Sequence, residues 1–366
     1  MVRRPRVAPK LASAVLALAL GNMADAGTLR KIWDFDSAVI LGAQSPGIQL
    51  GVFALGFSRD GRRIAAVIGR SRREESVLIL DSRAPDAHFV KLDVNPQIRE
   101  QEPGAGSQRI EWSLSGRQVI LAKWLVQIPT GATCTLPAFL QRYRFTGDTQ
   151  IVGYQVEPAR LLFLDSECHI TAAREMANEQ HVHTYDASAE RGLLLLNENG
   201  ISHYTITEVS VTVIDVNGKQ ILRALRNWPA SDALIVNPKF ADSGKAFCGM
   251  RGDLWHRTIA CFTVDAGQAL NVTNGWNDPD VRTALGSPRI VISDYTKKLD
   301  WLDMVWYPGL LRKRVVWDFQ SGKEIVRWKP KTQKVLAQPY RFDIAPDGEY
   351  IVEGGAGVVS LYKIEP

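Results

Sequence analysis

One stretch constrains this chain more than any other: Leu55-Gly-Phe-Ser-Arg-Asp-Gly-Arg-Arg-Ile-Ala-Ala-Val67, an apolar run, a tight Asp-Gly turn and a second apolar run. It reads as two short strands joined by a turn. The same order returns in Trp112-Ser-Leu-Ser-Gly-Arg-Gln-Val-Ile-Leu121, Phe240-Ala-Asp-Ser-Gly-Lys-Ala-Phe247 and Phe342-Asp-Ile-Ala-Pro-Asp-Gly-Glu-Tyr-Ile-Val352, with Tyr185-Asp-Ala-Ser-Ala-Glu-Arg-Gly-Leu-Leu194 a looser copy.

A second hallmark follows each turn, a β-rich run that closes on Asp: Val77-Leu-Ile-Leu-Asp81, Leu161-Leu-Phe-Leu-Asp165, Val211-Thr-Val-Ile-Asp215, Cys261-Phe-Thr-Val-Asp265 and Val315-Val-Trp-Asp318. Most of these runs are apolar at consecutive positions, the pattern of strands covered on both faces. Behind the Asp there is commonly a turn and one more strand, as in Gln320-Ser-Gly-Lys-Glu-Ile-Val-Arg-Trp328, so each unit holds about four strands. From Asp165 onward the Asp positions are 50, 50 and 53 residues apart, a period of propeller blades and too long for most helical solenoids. A four-stranded sheet cannot bury both faces alone, so the units must stack around an axis. The expected fold is therefore all-β, a single β-propeller of four-stranded blades.

Turn motifs near Gly61, Gly116, Gly192, Gly244, Lys298 and Gly348 count six blades, with seven as the alternative. One interval is anomalous, since Asp81 and Asp165 are 84 residues apart. It is read as an insertion within the second blade, at about 128–158, against the alternative of a separate degenerate blade. The last unit supplies only three strands, and the orphan stretch Thr28 to Phe35 can provide the fourth. That would close the ring by pairing the N- and C-terminal strands and protect an open edge.

The first 26 residues read as a secretory signal peptide: a basic start at Arg3, Arg4, Arg6 and Lys10, the apolar run Leu11 to Leu20, and the small-x-small site Ala24-Asp-Ala26. Cleavage after Ala26 would leave 27–366 as the propeller domain. It removes four cations and one anion, so the net charge falls from +5 to +2. A nearly neutral chain gives no support to nucleic-acid binding, which usually needs a concentrated basic face, and no later run is long enough to span a bilayer as a helix. The expected location is secreted or periplasmic, as a monomer. Export makes the four cysteines candidates for disulfides. Cys248 and Cys261 sit symmetrically about a turn between Leu254 and Trp255, which favours their pairing and leaves Cys134 for Cys168; buried free thiols are the alternative.

The units resemble WD40-type repeats, and Phe57-Ser-Arg-Asp-Gly-Arg-Arg-Ile-Ala65 also resembles the repeat of TolB-like propellers. Val316-Trp-Asp-Phe-Gln-Ser-Gly-Lys-Glu-Ile325 is the nearest match, although the Gly-His dipeptide of WD40 units is missing. The resemblance implies that the first strand of each blade lines the channel, which would put His181 and His183 on one face of such a strand. Two imidazoles are compatible with a metal, but no further ligand is identifiable. It also implies that loops between second and third strands share one rim. Those loops carry Arg72, Arg73, His203, Tyr204, Arg251, Trp255, His256, Tyr307 and Arg314, residue types enriched at binding hot spots.

Arg251-Gly-Asp253 matches a three-residue integrin-recognition sequence, and Asn271-Val-Thr273 is a glycosylation sequon. No GxSxG, HExxH, phosphate loop or CxxCH occurs, and no cofactor is implied. The expected function is an exported, non-enzymatic propeller that binds a protein, another macromolecule or a ligand through one rim. The alternative is an enzyme, a lyase or hydrolase, with a metal or acid/base site at the channel mouth.

Overall fold

A computed structural model describes residues 27–41, 50–69, 75–85, 89–92, 110–121, 123–128, 130–176, 181–202, 205–224, 236–251, 257–276, 279–295, 312–329 and 341–365. Among these residues the strands form seven four-stranded sheets. In chain order, β1 (Thr28–Asp36) stands apart from the strands that follow it. Blade 1 holds β2 (Gly51–Phe57), β3 (Arg63–Gly69), β4 (Glu75–Asp81) and β5 (Phe89–Leu92); blade 2 holds β6 (Glu111–Trp112), β7 (Gln118–Leu121), β8 (Trp124–Gln127) and β9 (Thr133–Thr135). Blade 3 holds β10 (Leu140–Phe145), β11 (Ile151–Gln155), β12 (Arg160–Leu164) and β13 (Ile170–Glu175); blade 4 holds β14 (His181–Ser188), β15 (Leu193–Ser202), β16 (Thr205–Asp215) and β17 (Gln220–Ala224). Blade 5 holds β18 (Val236–Ala241), β19 (Ala246–Arg251), β20 (Arg257–Thr263) and β21 (Ala269–Trp276); blade 6 holds β22 (Asp280–Thr283), β23 (Arg289–Tyr295), β24 (Arg312–Asp318) and β25 (Lys323–Trp328). Blade 7 is β26 (Arg341–Ile344), β27 (Tyr350–Gly355) and β28 (Val358–Glu365), with β1 antiparallel beside β28, Thr28 opposite Glu365 and Asp36 opposite Val358.

The expected count of six blades is therefore corrected to seven. The stretch read as an insertion at 128–158 is instead divided between the turn and outer strand that complete blade 2 and the first two strands of a full blade 3. Thr146-Gly-Asp-Thr149 is the first turn of that blade. Its inner strand is anchored by Tyr143, a buried residue whose hydroxyl donates to the Pro137 carbonyl; burial pushes the phenol above the usual tyrosine range. The sixth-blade turn counted at Lys298 is also displaced. Asp294 and Tyr295 belong to β23, and the turn is 284–288.

The consecutive apolar runs have a direct structural reading. Seven hydrophobic clusters occupy the seven seams between neighbouring blades, so each sheet is apolar on both sides. Between blades 4 and 5, for example, Leu195 and Val213 pack with Phe240, Phe247 and Phe262, and the last two rings stack with centroids 5.4 Å apart. The recurrent Asp is a turn cap. Asp81 accepts from Arg83 N at 2.7 Å, Asp165 from His169 N at 2.8 Å, Asp215 from Lys219 N at 2.8 Å and Asp318 from Ser321 N at 2.8 Å, each holding the turn into the fourth strand.

Polar joints supplement the apolar seams, and they recur at equivalent places. An outer strand repeatedly engages the third-to-fourth-strand turn of the next blade: Trp33 Nε1 donates to Ser82 O at 2.8 Å, Arg174 Nη2 to Val216 O at 2.8 Å, and Asn271 Nδ2 to Phe319 O at 2.9 Å. Between blades 2 and 3 the same joint is a disulfide, Cys134 to Cys168. The second disulfide, Cys248 to Cys261, joins residues directly opposite on β19 and β20, with Cα atoms 4.0 Å apart. Near the first turns, Arg63 Nη1 donates to Gly116 O, Arg191 Nη1 to Gly244 O and Arg289 Nη1 to Gly348 O, all at 2.9 Å. Each such bond contributes about 0.5–1.5 kcal/mol net, so the apolar seams dominate and the joints fix the angular register.

Candidate functional site

The first strands of the blades follow one another around the axis in the order β6, β10, β14, β18, β22, β26, β2. The step from β2 back to β6 is tight: a Cβ on Gly56 would stand 3.1 Å from the Ile110 Cβ, and Trp112 Nε1 donates to Gly56 O at 3.3 Å. Glycine at 56 thus permits the approach of the two blades.

Gly56, Glu111, Arg144, Asp186, Lys239, Arg282 and Asp343 occupy one register position on these seven strands, two residues before the first turn. Six of the seven are charged. Glu111, Asp186 and Arg282 are buried. The charges of Glu111 and Asp186 are matched across blades, whereas Arg282 Nη2 lies 3.7 Å from Asp280 Oδ2 on its own strand. Arg144 Nε lies 3.4 Å from Glu111 Oε1 and 3.2 Å from Asp186 Oδ1. The other oxygen of Asp186 accepts from Phe240 N at 2.9 Å, and Asp343 accepts from Phe57 N at 2.9 Å.

Arg59, on the first turn of blade 1, reaches over this layer. Its Nη1 is 2.8 Å from Glu190 Oε1 on the first turn of blade 4, and its Nη2 is 4.0 Å from Glu111 Oε2. A continuous chain of charge therefore runs Glu190, Arg59, Glu111, Arg144, Asp186 and the Phe240 amide, touching blades 1 to 5. Carboxylates held this way in a low-dielectric setting are strongly fixed acceptors. The arrangement ties the inner strands together at the turn end of the channel, with Glu111 and Asp186 both facing Arg144.

Of the rim residues, Arg72, Arg73, His203, Tyr204, Trp255, His256 and Tyr307 lie outside the described residues. The backbone of Arg251 ends β19, opposite Thr258. Arg314 is not a rim residue. It sits inside β24 with its side chain 0% exposed, ion-paired with Glu353, its Nε 3.4 Å from Ser293 Oγ and its guanidinium 4.3 Å from the Phe342 ring centroid. The structure therefore does not bring the nine residues together on one described surface. His181 and His183 lie on β14, where the pairing with β15 slips between Val182 and Thr184. Among the described residues no group of three or more His, Cys, Asp or Glu is placed to hold a metal ion, and no helix among them is long and apolar enough to cross a membrane. The Met1 to Ala26 segment also lies outside the described residues.

No protein-family model and no curated protein sequence matches the chain. Solved structures do match in fold. The β-propeller domain of Cps50 (Swd1) from Myceliophteria thermophila is similar at a TM-score of 0.55 and 14% identity, over 86% of this chain and 97% of that one. A chain of the mitotic checkpoint complex is similar at 0.55 and 11% identity, over 93% of each, and Kuenenia stuttgartiensis hydrazine synthase at 0.54 and 11%, over 86% of this chain and 95% of that one. The fold is that of a WD40-like β-propeller. At these identities the likeness extends to the fold alone.

Proposed function

We propose that this chain is an exported, monomeric, non-enzymatic propeller that binds a protein or other macromolecule on the face opposite its tight turns. The observation that carries this is an asymmetry of connections. Turns joining first to second and third to fourth strands are all short, the longest spanning 82–88, and they emerge at one end of the blades. The strands joined by 93–110, 225–235, 296–311 and 329–340 end at the other face. Long connections on a rigid scaffold are where recognition is usually built. Two disulfides fit an oxidising compartment, and the near-neutral chain left after residue 26 argues against nucleic acid. Among the similar folds, one was solved within a mitotic checkpoint complex and another in a hydrazine synthase, so assembly and enzyme contexts both have precedent for the architecture.

Cross-linking capture from the secreted or periplasmic fraction of the producing cell tests the proposal. Changing Trp255 and Tyr307 to Ala should reduce recovery of captured partners at least about tenfold, as loss of two aromatic hot spots would. Changing Arg62 and Arg83, exposed on the tight-turn face, should leave recovery unchanged. The opposite pattern would overturn the reading. Stoichiometric bound metal in the purified protein, lost on changing His181 and His183 to Ala, would favour an enzyme instead.

A further inference from the structure

The Asn271-Val-Thr273 sequon is the sequence motif that the proposed function leaves unused, and its asparagine is already committed. Asn271 lies on β21, the outer strand of blade 5, and its side chain is turned onto blade 6 while Val272 beside it is 46% exposed. The Nδ2 group donates to two carbonyls of the blade 6 turn, Phe319 O at 2.9 Å and Gln320 O at 3.0 Å. The rest of the amide rests on Gly322, where a Cβ would stand 3.1 Å from Asn271 Oδ1 and 3.2 Å from its Cγ. Gly322 also has φ of +72°, so glycine there serves both the turn and the seat of the asparagine.

Attaching a glycan replaces one Nδ2 hydrogen by a bond to the anomeric carbon of the sugar, the diphosphate of the lipid carrier leaving and the proton passing to base. Both Nδ2 hydrogens are in use in the closed ring, and a sugar on either would occupy the place of a carbonyl about 3 Å away. We infer that Asn271 is the joint residue between blades 5 and 6, and that in the folded ring this sequon is closed to N-glycosylation. Asn271 performs for this seam what Trp33, Arg174 and the Cys134 to Cys168 disulfide perform for others. A glycan added during synthesis, before the ring closes, would have to be expelled from the joint. Glycosylated chains are then excluded from the folded pool. The inference is independent of which face binds a partner.

The test uses the full chain secreted from a glycosylating eukaryotic cell, with two substitutions that separate the joint from the sequon. Thr273→Val destroys the sequon and keeps a β-branched residue on the strand; Asn271→Asp keeps the shape but turns the donor into an acceptor facing two carbonyls. The folded monomeric fraction should carry a glycan at Asn271 in fewer than about one molecule in ten, read by enzymatic deglycosylation in heavy-oxygen water and peptide mass. T273V should melt with the unmodified protein, and N271D about 3–6 °C lower, the shift expected for two lost hydrogen bonds in a chain of this size. A folded fraction glycosylated at Asn271 in most molecules and melting normally would overturn the inference. So would N271D melting like wild type, or T273V melting as low as N271D.

Discussion

Removing residues 27–36 should lower the melting temperature by roughly 10 °C or more, with loss of at least about 4 kcal/mol of stability. β1 supplies the outer strand of blade 7, and its removal bares the whole edge of β28 from Val358 to Glu365. It also withdraws Phe35, 2% exposed in the cluster between blades 7 and 1, and the Trp33 indole that donates to Ser82 O. A fully buried Phe alone contributes about 1.5–3 kcal/mol by area, and truncating it to Ala costs about 3–5 kcal/mol once the cavity is included. Phe35→Ala should therefore reproduce most of the loss without altering the strand's backbone. Calorimetry of the deletion and of Phe35→Ala gives both values. An unchanged melting temperature for the deletion would mean that the first strand does not hold the ring shut.

The second large effect is expected at the seam between blades 6 and 7. Glu353 on β27 accepts from Arg314, which is fully buried, and from Trp328 Nε1 at 2.9 Å. Taking one partner from a buried ion pair leaves an uncompensated charge, at a cost of about 3–5 kcal/mol. Glu353→Ala should lose that amount in denaturant unfolding. Replacing both Arg314 and Glu353 by Met should cost much less than the sum of the single changes, because two apolar side chains need no partner there. Additive losses, or a loss below about 1 kcal/mol for Glu353→Ala, would show that the pair is not a buried unit.

How much of this was legible depends on the residue. The turns at Asp60-Gly61 and Asp347-Gly348 announce themselves, and Asp81, Asp165, Asp215 and Asp318 stand out because one physical task, capping a turn, selects one side chain four times. Blade 2 lacks that Asp. Its third strand ends at Gln127, its first and last strands are only two and three residues long, and so the count of Asp positions steps over it. The turn of blade 3 is Thr146-Gly-Asp-Thr149, without an Asp-Gly pair, and the turn of blade 6 ends in Pro288; neither follows the pattern that located the others. Arg314 is hidden for a different reason. Arg312-Lys-Arg314 looks like a solvated loop, and the carboxylate that neutralises it lies 39 residues away, where no local spacing reveals it. The charged layer of Glu111, Arg144 and Asp186 was missed although a signal exists: aligning the repeats on their first turns puts a charge two residues before the turn in six of seven blades. That alignment needs residues 140–175 set apart as a blade of their own.

The claim on which the whole account rests is the ring of seven, with residues 140–175 as a blade in their own right. Electron microscopy of the protein bound to an antibody fragment, averaged in projection down the ring axis, tests it most directly. Seven lobes of equal radial extent are predicted; six lobes with an extra mass projecting from the second would contradict it.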